Sequence, residues 1–176
     1  MPRVIFDISM SLDGYMTASS VRPEEPMGDG GQRLHEWAFG GGEGNRELLA
    51  EATDAVGTVI AGRRTYDLSV PWWGADAPAG PARVPVIVVT HAEPEGVPEG
   101  GVYTFVTDGI ESALEKARAA AGDKDVAVMG GAEIEQHYIR AGRGDLDPPR
   151  ACAVGRHRDV GVPWRRAHPA RDCRGG

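Results

Sequence analysis

The chain is poor in the features that mark a secreted, membrane-embedded or nucleic-acid-binding protein. It has two cysteines in 176 residues, Cys152 and Cys173. Neither belongs to a metal-ligand spacing, and with no secretory context they are expected to be free thiols rather than a disulfide. No apolar run approaches the roughly 20 residues of a membrane span, and the N-terminus lacks a basic stretch followed by an apolar one. A cytoplasmic protein with no membrane partner is the expectation. Basic residues are outnumbered, with 19 Lys+Arg against 26 Asp+Glu and a net charge of −7, which argues against nucleic acid as a partner. Several catalytic constellations are missing as well. There is no Ser–His–Asp order, no metal triad, no pair of carboxylates at a suggestive spacing, and no His-x-Glu followed by Cys-x-x-Cys of the zinc-deaminase type.

What is present describes an α/β protein. Hydrophobic residues make up 41% and there are 25 glycines, a composition that fits one soluble, loop-rich domain with a sizeable core. Val4 to Met10 reads as an opening strand, and Ser11-Leu12-Asp13-Gly14-Tyr15 then turns the chain. Residues 19–44, rich in Gly, Pro and charge, read as a long irregular loop, a class that is often functional. Asn45 is the expected N-cap of a helix to about Asp54, with Glu47 in its first turn. Thr58 to Ala61, Val84 to Thr90 and Val102 to Val106 are expected strands, and the β-branched run at 84–90 suits a parallel sheet covered on both faces. Ile110 to Ala121 has helical spacing of Ile110, Ala113, Leu114 and Ala117, with Asp108 as N-cap and Glu111 completing a capping box. Strand and helix alternate with short links, which predicts a mainly parallel central sheet with helices on both faces.

The most informative stretch is 126–140. A short apolar strand ends in Gly130-Gly131 and runs directly into an amphipathic helix with Ile134, Tyr138 and Ile139 on one side. A helix N-terminus has unpaired N–H groups and a positive dipole end, so a phosphate or pyrophosphate can rest there. A close-packing turn with no ligand would use the same two glycines.

After residue 140 the pattern stops. Residues 1–140 hold 11 Lys+Arg against 22 Asp+Glu, whereas 141–176 hold eight Arg, no Lys and four Asp, with one Leu, no Ile and four Pro. No period of 2 or 3.6 survives. One reading is a disordered basic tail. Another is a slipped reading frame: read one base later, the codons for Pro148 to Arg158 permit His-Leu-Val-Pro-Val-Leu-Leu-Gly-Gly-Thr, an apolar strand and a turn. Residues 142–176 are therefore expected to lack regular structure, and the sheet to lack an edge-filling strand.

Four segments together resemble a known family. Val4-Ile5-Phe6-Asp7-Ile8-Ser9-Met10-Ser11-Leu12-Asp13-Gly14-Tyr15 is similar to the opening of dihydrofolate reductase-like proteins, above all those related to the reductase domain of the bacterial bifunctional riboflavin deaminase-reductase. Thr58-Val59-Ile60-Ala61-Gly62-Arg63-Arg64-Thr65-Tyr66, Pro85-Val86-Ile87-Val88-Val89-Thr90 and Val128-Met129-Gly130-Gly131-Ala132 resemble the later cofactor-binding segments, in the correct order. The resemblance covers residues 3–140 and implies a dihydrofolate reductase-like domain over 1–140, followed by an aberrant Arg/Pro-rich tail over 141–176. Family members usually continue with an apolar strand, which the shifted frame recovers and the actual chain leaves at about Gly142.

The resemblance also implies a chemistry. NADPH would be the cofactor, held by Gly62, Arg63, Arg64 and Thr65 at its phosphates, by Thr90 and His91 at the adenosine 2′-phosphate, and by Gly130, Gly131 and Ala132 at the pyrophosphate. Asp13, Gly14 and Trp73 would meet the substrate, although Asp13 also suits a plain turn and Trp72-Trp73 also suit loop packing. Glu47 is the nearest candidate proton donor, but a first-turn acid is equally explained by the helix dipole, and the catalytic acid stays unassigned. No metal is implied, and a homodimer is compatible. The expected activity is NADPH-dependent reduction of a small heterocycle, such as a ribosylaminopyrimidine of riboflavin synthesis. Folate is a poor substrate guess, because the helix carboxylate that holds a pterin has no clear counterpart. The competing readings are a nucleotide-binding protein without turnover and an inactive frameshifted remnant.

Overall fold

Beta-branched and apolar runs supply the sheet, and the glycine-rich and charged segments are left to connect it. The computed structural model describes residues 3–6, 8–40, 42–142 and 165–166. In chain order the elements are strand β1 (Val4–Phe6), strand β2 (Tyr15–Thr17), a 3-10 turn at Gly31–His35, helices α1 (Glu36–Phe39) and α2 (Glu43–Ala55), strand β3 (Val56–Gly62), helix α3 (Arg63–Trp73), a second 3-10 turn at Gly80–Ala82, strands β4 (Val86–Val89) and β5 (Tyr103–Val106), helix α4 (Ile110–Ala121), strand β6 (Asp125–Met129), helix α5 (Ala132–Arg140) and the two-residue strand β7 (Arg165–Arg166). Among the described residues no helix is long and apolar enough to cross a membrane.

Five strands form one sheet in the order β1-β6-β3-β4-β5, and every neighbouring pair is parallel. Ile60 of β3 stands opposite Ile87 of β4 and Val128 of β6. Because side chains alternate along a strand, the sheet buries two separate apolar layers. On one face Ile60, Ile87, Val106, Val126 and Val128 pack against Ala113, Leu114 and Ala117 of α4 and against Ile134 and Tyr138 of α5. On the other, Val59, Ala61, Val86 and Val88 pack around Tyr66 of α3. The Tyr66 ring meets Tyr103 and Phe105 edge-on, at centroid distances of 5.1 and 5.2 Å. The expected α/β architecture, a parallel sheet with helices on both faces, is the one found.

Several boundaries differ from expectation, each for a local reason. The first strand stops at Phe6 rather than Met10, since Phe6 pairs with Val128 and β6 itself ends one residue later. The ladder has no further partner to offer. Helix α2 starts at Glu43 with Gly42 as its N-cap, so Glu43, not Glu47, is the first-turn acid. Asn45 therefore lies inside the first turn, its N–H donating to the Gly42 carbonyl and its Nδ2 donating to the Trp37 carbonyl at 2.8 Å. Helix α4 has the expected span, but Gly109 occupies the N-cap position. Asp108 still acts there: a side-chain hydrogen bond with Ser112 is the first cause holding its carboxyl below the usual range. In α5, Ile134 and Tyr138 are buried as expected, whereas Ile139 is 43% exposed.

Residues 19–44 are less irregular than their composition suggests, holding the first 3-10 turn, α1 and an isolated bridge between Arg22 and Glu25. The expectation of no regular structure over 142–176 fails at one point. Arg165 and Arg166 of β7 pair antiparallel with Thr17 and Tyr15 of β2. Otherwise the expectations for the tail, its thiols and its order lie outside the described residues. Among the described residues β1 has β6 as its single sheet neighbour.

Candidate cofactor site

The strand order places β3 and β6 side by side, with Ala61 opposite Met129 at their carboxyl ends. The chain leaves these two neighbours toward opposite faces. After β3 it enters α3, which packs on the Val59/Ala61 face, and after β6 it enters α5, which packs on the Ile60/Val128 face. Open α/β sheets bind ligands beyond the strand ends at such a divergence.

Both helices begin on a glycine. Gly62 is the N-cap of α3 with φ −78° and ψ 156°, and Gly131 is the N-cap of α5 with φ −78° and ψ 151°. Neither helix start carries a side-chain cap bond, so its first N–H groups face outward without a side-chain acceptor. A Cβ built on Gly62 or on Gly131 meets nothing within 4 Å. Gly130 is different. Its φ is +129°, and a Cβ there would lie 2.2 Å from Thr65 Oγ1. Gly130 is thus required by packing between the two helix starts, while Gly131 faces open space that a ligand backbone could use.

Charge separates the two N-termini. The first turn of α3 has no acidic residue, whereas that of α5 holds Glu133 and Glu135. The glutamates already complement the α5 dipole, so the end of α3 is the stronger anion receptor. Arg63 and Arg64 sit there. Arg63 is anchored: Nε donates to Asp67 Oδ1 at 2.7 Å, and Nη1 donates to Thr90 Oγ1 at 3.2 Å and to the Ala92 carbonyl at 2.8 Å. Arg64 is exposed and has no hydrogen-bond or ion-pair partner among the described residues. Thr90 is 7% exposed and spends its hydroxyl proton on the Ala92 carbonyl at 2.7 Å. Burial raises the Tyr66 phenol above its ordinary range, which leaves Tyr66 neutral beneath the site.

Thus the structure brings together Gly62, Arg63, Arg64, Thr65, Gly130, Gly131 and Ala132, with Thr90 joined through Arg63 and the exposed His91 beside it. Asp13 and Gly14 lie on the segment that leaves β1 at the same edge of the sheet. There Ser11 Oγ donates to Asp13 Oδ1 at 2.6 Å and accepts the Tyr15 N–H at 2.9 Å, and Gly14 takes φ +86°, a region that favours glycine. Trp73 stands apart. It ends α3, next to Gly74, whose carbonyl accepts the hydroxyl of Tyr103 at the amino end of β5. That is the far edge of the sheet from Gly62. Trp72 instead fastens a loop, its Nε1 donating to the Pro23 carbonyl at 2.9 Å. Glu47 is exposed on α2. Asp67 and Ser11 were not anticipated, although Asp67 follows Arg63 at the i,i+4 spacing that pairs charges on a helix. Among the described residues no group of three or more His, Cys, Asp or Glu could hold a metal ion.

No curated protein matches the chain. Among solved structures, a protein of Shewanella sp. PV-4 named for riboflavin biosynthesis superposes with a TM-score of 0.54 at 21% identity, over 82% of this chain and 73% of that one. A diaminohydroxyphosphoribosylaminopyrimidine deaminase/5-amino-6-(5-phosphoribosylamino)uracil reductase of Thermotoga maritima gives 0.45 at 15% identity, over 80% of this chain and 42% of that one. A pyrimidine reductase-like protein of Corynebacterium diphtheriae also gives 0.45 at 15%, over 87% and 77%. The sequence profile of the RibD C-terminal domain matches residues 2–145, and with most of its length matched the chain belongs to the RibD C-terminal domain family.

Proposed function

We propose that the protein is a pyridine-nucleotide-dependent reductase acting on a small heterocycle, with NADPH as cofactor and a ribosylaminopyrimidine of riboflavin synthesis as the substrate class. The observation that carries this reading is the pair of glycine-started helices at the carboxyl ends of adjacent strands, with open space at Gly62 and Gly131 and cationic side chains at one of them. The residues fit a dinucleotide. The start of α3 would hold phosphate through its N–H groups and Arg64. Gly131 and Ala132 would let the pyrophosphate approach the backbone, and Thr90 would hold Arg63 in place at the end of β4. The bound cofactor supplies the hydride, so little acid–base equipment is asked of the protein. The work of the chain is to orient the two reactants and keep water away from them. Asp13 and Gly14, on the segment leaving β1, would border the substrate.

Fluorescence titration with NADPH and NADH, paired with loss of absorbance at the nicotinamide band over a panel of pyrimidine and pterin substrates, tests the proposal. Saturable NADPH binding with turnover of a pyrimidine supports it. Binding without turnover of any substrate would reduce the protein to a nucleotide-binding module. Absence of binding would remove the dinucleotide assignment altogether.

A further inference from the structure

We propose that Asp67 sets how strongly this site distinguishes a phosphorylated from an unphosphorylated adenosine ribose, an inference that rests on the dinucleotide reading above. The argument starts from the surroundings of Arg63. Its Nε is taken by Asp67, and its Nη1 by Thr90 and the Ala92 carbonyl. These contacts lay the guanidinium across the carboxyl end of β4. The Nη2 edge has no partner among the described residues and stays available to a ligand. Thr90 cannot greet a phosphate as a donor, because a hydroxyl has one proton and this one goes to Ala92. Recognition of a 2′-phosphate at this point therefore falls on Arg63 and Arg64, with the exposed His91 beside them.

Asp67 works against that recognition. Its carboxylate is 49% exposed beside a guanidinium that is 37% exposed, so the Arg63–Asp67 pair is close to neutral and open to the ligand. A 2′-phosphate would compete with Asp67 for one cation and bring further negative charge next to a carboxylate. A ribose 2′-hydroxyl does neither, and it can donate to the carboxylate, which is how an acidic residue reads the unphosphorylated ribose in dinucleotide folds. The site thus carries a reader for each form. Arg64, with no acidic neighbour bound to it, tips the balance toward phosphate, and Asp67 limits the tilt.

The test uses the full chain and two probes, adenosine 2′,5′-bisphosphate and adenosine 5′-monophosphate, titrated by calorimetry. In Asp67→Asn the ratio of affinities for bisphosphate over monophosphate should rise by about fivefold, the scale of one partly exposed ion pair. In Asp67→Glu, which keeps the charge one methylene further out, the ratio should stay within about twofold of the parent. High salt should shrink the gain in Asp67→Asn, since the competing charges are accessible to solvent. Arg63 retains Thr90 and Ala92 in these variants, and Asp67→Ser serves as a second neutral replacement if Asp67→Asn melts early. An unchanged ratio in both neutral variants would overturn the role of Asp67 while leaving the dinucleotide reading intact. Failure of the parent chain to bind either probe would overturn the dinucleotide reading itself, and the role of Asp67 with it.

Discussion

Residues 56–140 and residues 8–55 are built on different principles. In the later region β3 and β4 bury most of their residues, β6 buries Val126 and Val128, and α4 buries Ala113, Leu114, Ala117 and Ala121. In the earlier one the buried residues are Ser11, Ala18, Gly28, Gly31 and Leu34, and the 13 residues of α2 bury none. What orders the earlier region is a set of individual hydrogen bonds: Trp72 Nε1 to the Pro23 carbonyl, Trp37 Nε1 to Ser9 Oγ at 3.3 Å, and Asn45 Nδ2 to the Trp37 carbonyl. Burial of apolar area is worth far more per residue than a single exchanged hydrogen bond. The scaffold of the candidate site is therefore the stable half, while the loops that border the substrate side are held by contacts that individual substitutions can remove.

The sharpest way to break this contrast is to truncate one leucine in each region. Leu114→Ala, at a site 2% exposed, should lower the unfolding free energy by about 2–5 kcal/mol. Leu48→Ala on α2, at 37% exposure, should change it by less than about 0.5 kcal/mol. Urea denaturation of the two variants measures both, and comparable losses would mean that α2 is packed more firmly than its exposure indicates.

A second pair of substitutions separates packing from binding within the site. Gly130→Ala meets Thr65 and a φ of +129°, so it should cost about 1–3 kcal/mol in stability. Gly131→Val points into open space and should leave most of the stability intact while weakening NADPH by about tenfold or more, because its methyls fill the space of the pyrophosphate. Melting curves and cofactor titration on the same two proteins decide the matter. Unchanged NADPH affinity in a folded Gly131→Val would make the Gly-Gly turn purely structural.

Smaller effects are expected from the ties between the regions. Trp72→Phe removes the bond to Pro23 and should cost about 1 kcal/mol, read most directly as faster proteolysis within residues 20–30. An equal rate in the parent would show that the loop is held by other means. In the sheet layer, burial first, and then Tyr66 and Asp76 nearby, push the Tyr103 phenol from 10.0 up to about 12. A raised folded value favours the neutral form, so this contribution to stability is complete below pH 10 and is lost as pH rises through about 12. Stability curves between pH 9 and 12 should fall less steeply for Tyr103→Phe than for the parent, and superimposable slopes would remove Tyr103 as the cause.

The legibility of the chain follows the same division. The spans of α4 and β6 and the Gly130-Gly131 turn could be read directly, because periodic burial leaves a trace in residue order. The start of α2 could not. Asn45 has the right chemistry for a cap, yet the helix begins two residues earlier at Glu43 and Asn45 reaches back to the Trp37 carbonyl, a contact that the local sequence does not spell out. The end of β1 was likewise set by the length of its partner β6, which is remote in the chain.

By itself, then, the sequence determined the strands of the central sheet, helices α4 and α5 and the glycine turns at which a phosphate could rest, since each depends on residues within a few positions of one another. Tertiary structure alone decided that β6 inserts between β1 and β3, which brings Gly130 against Thr65 and sets side by side two turns lying far apart in sequence. It also decided which of the candidate residues are available. Thr90 and Arg63 are bound to one another, Arg64 and Gly131 face outward, and Trp73 lies at the opposite edge. The physical reason is that hydrogen bonds and close packing saturate. A side chain that satisfies a neighbour across the fold has fewer donors left for a ligand, and only the folded arrangement says which neighbour that is.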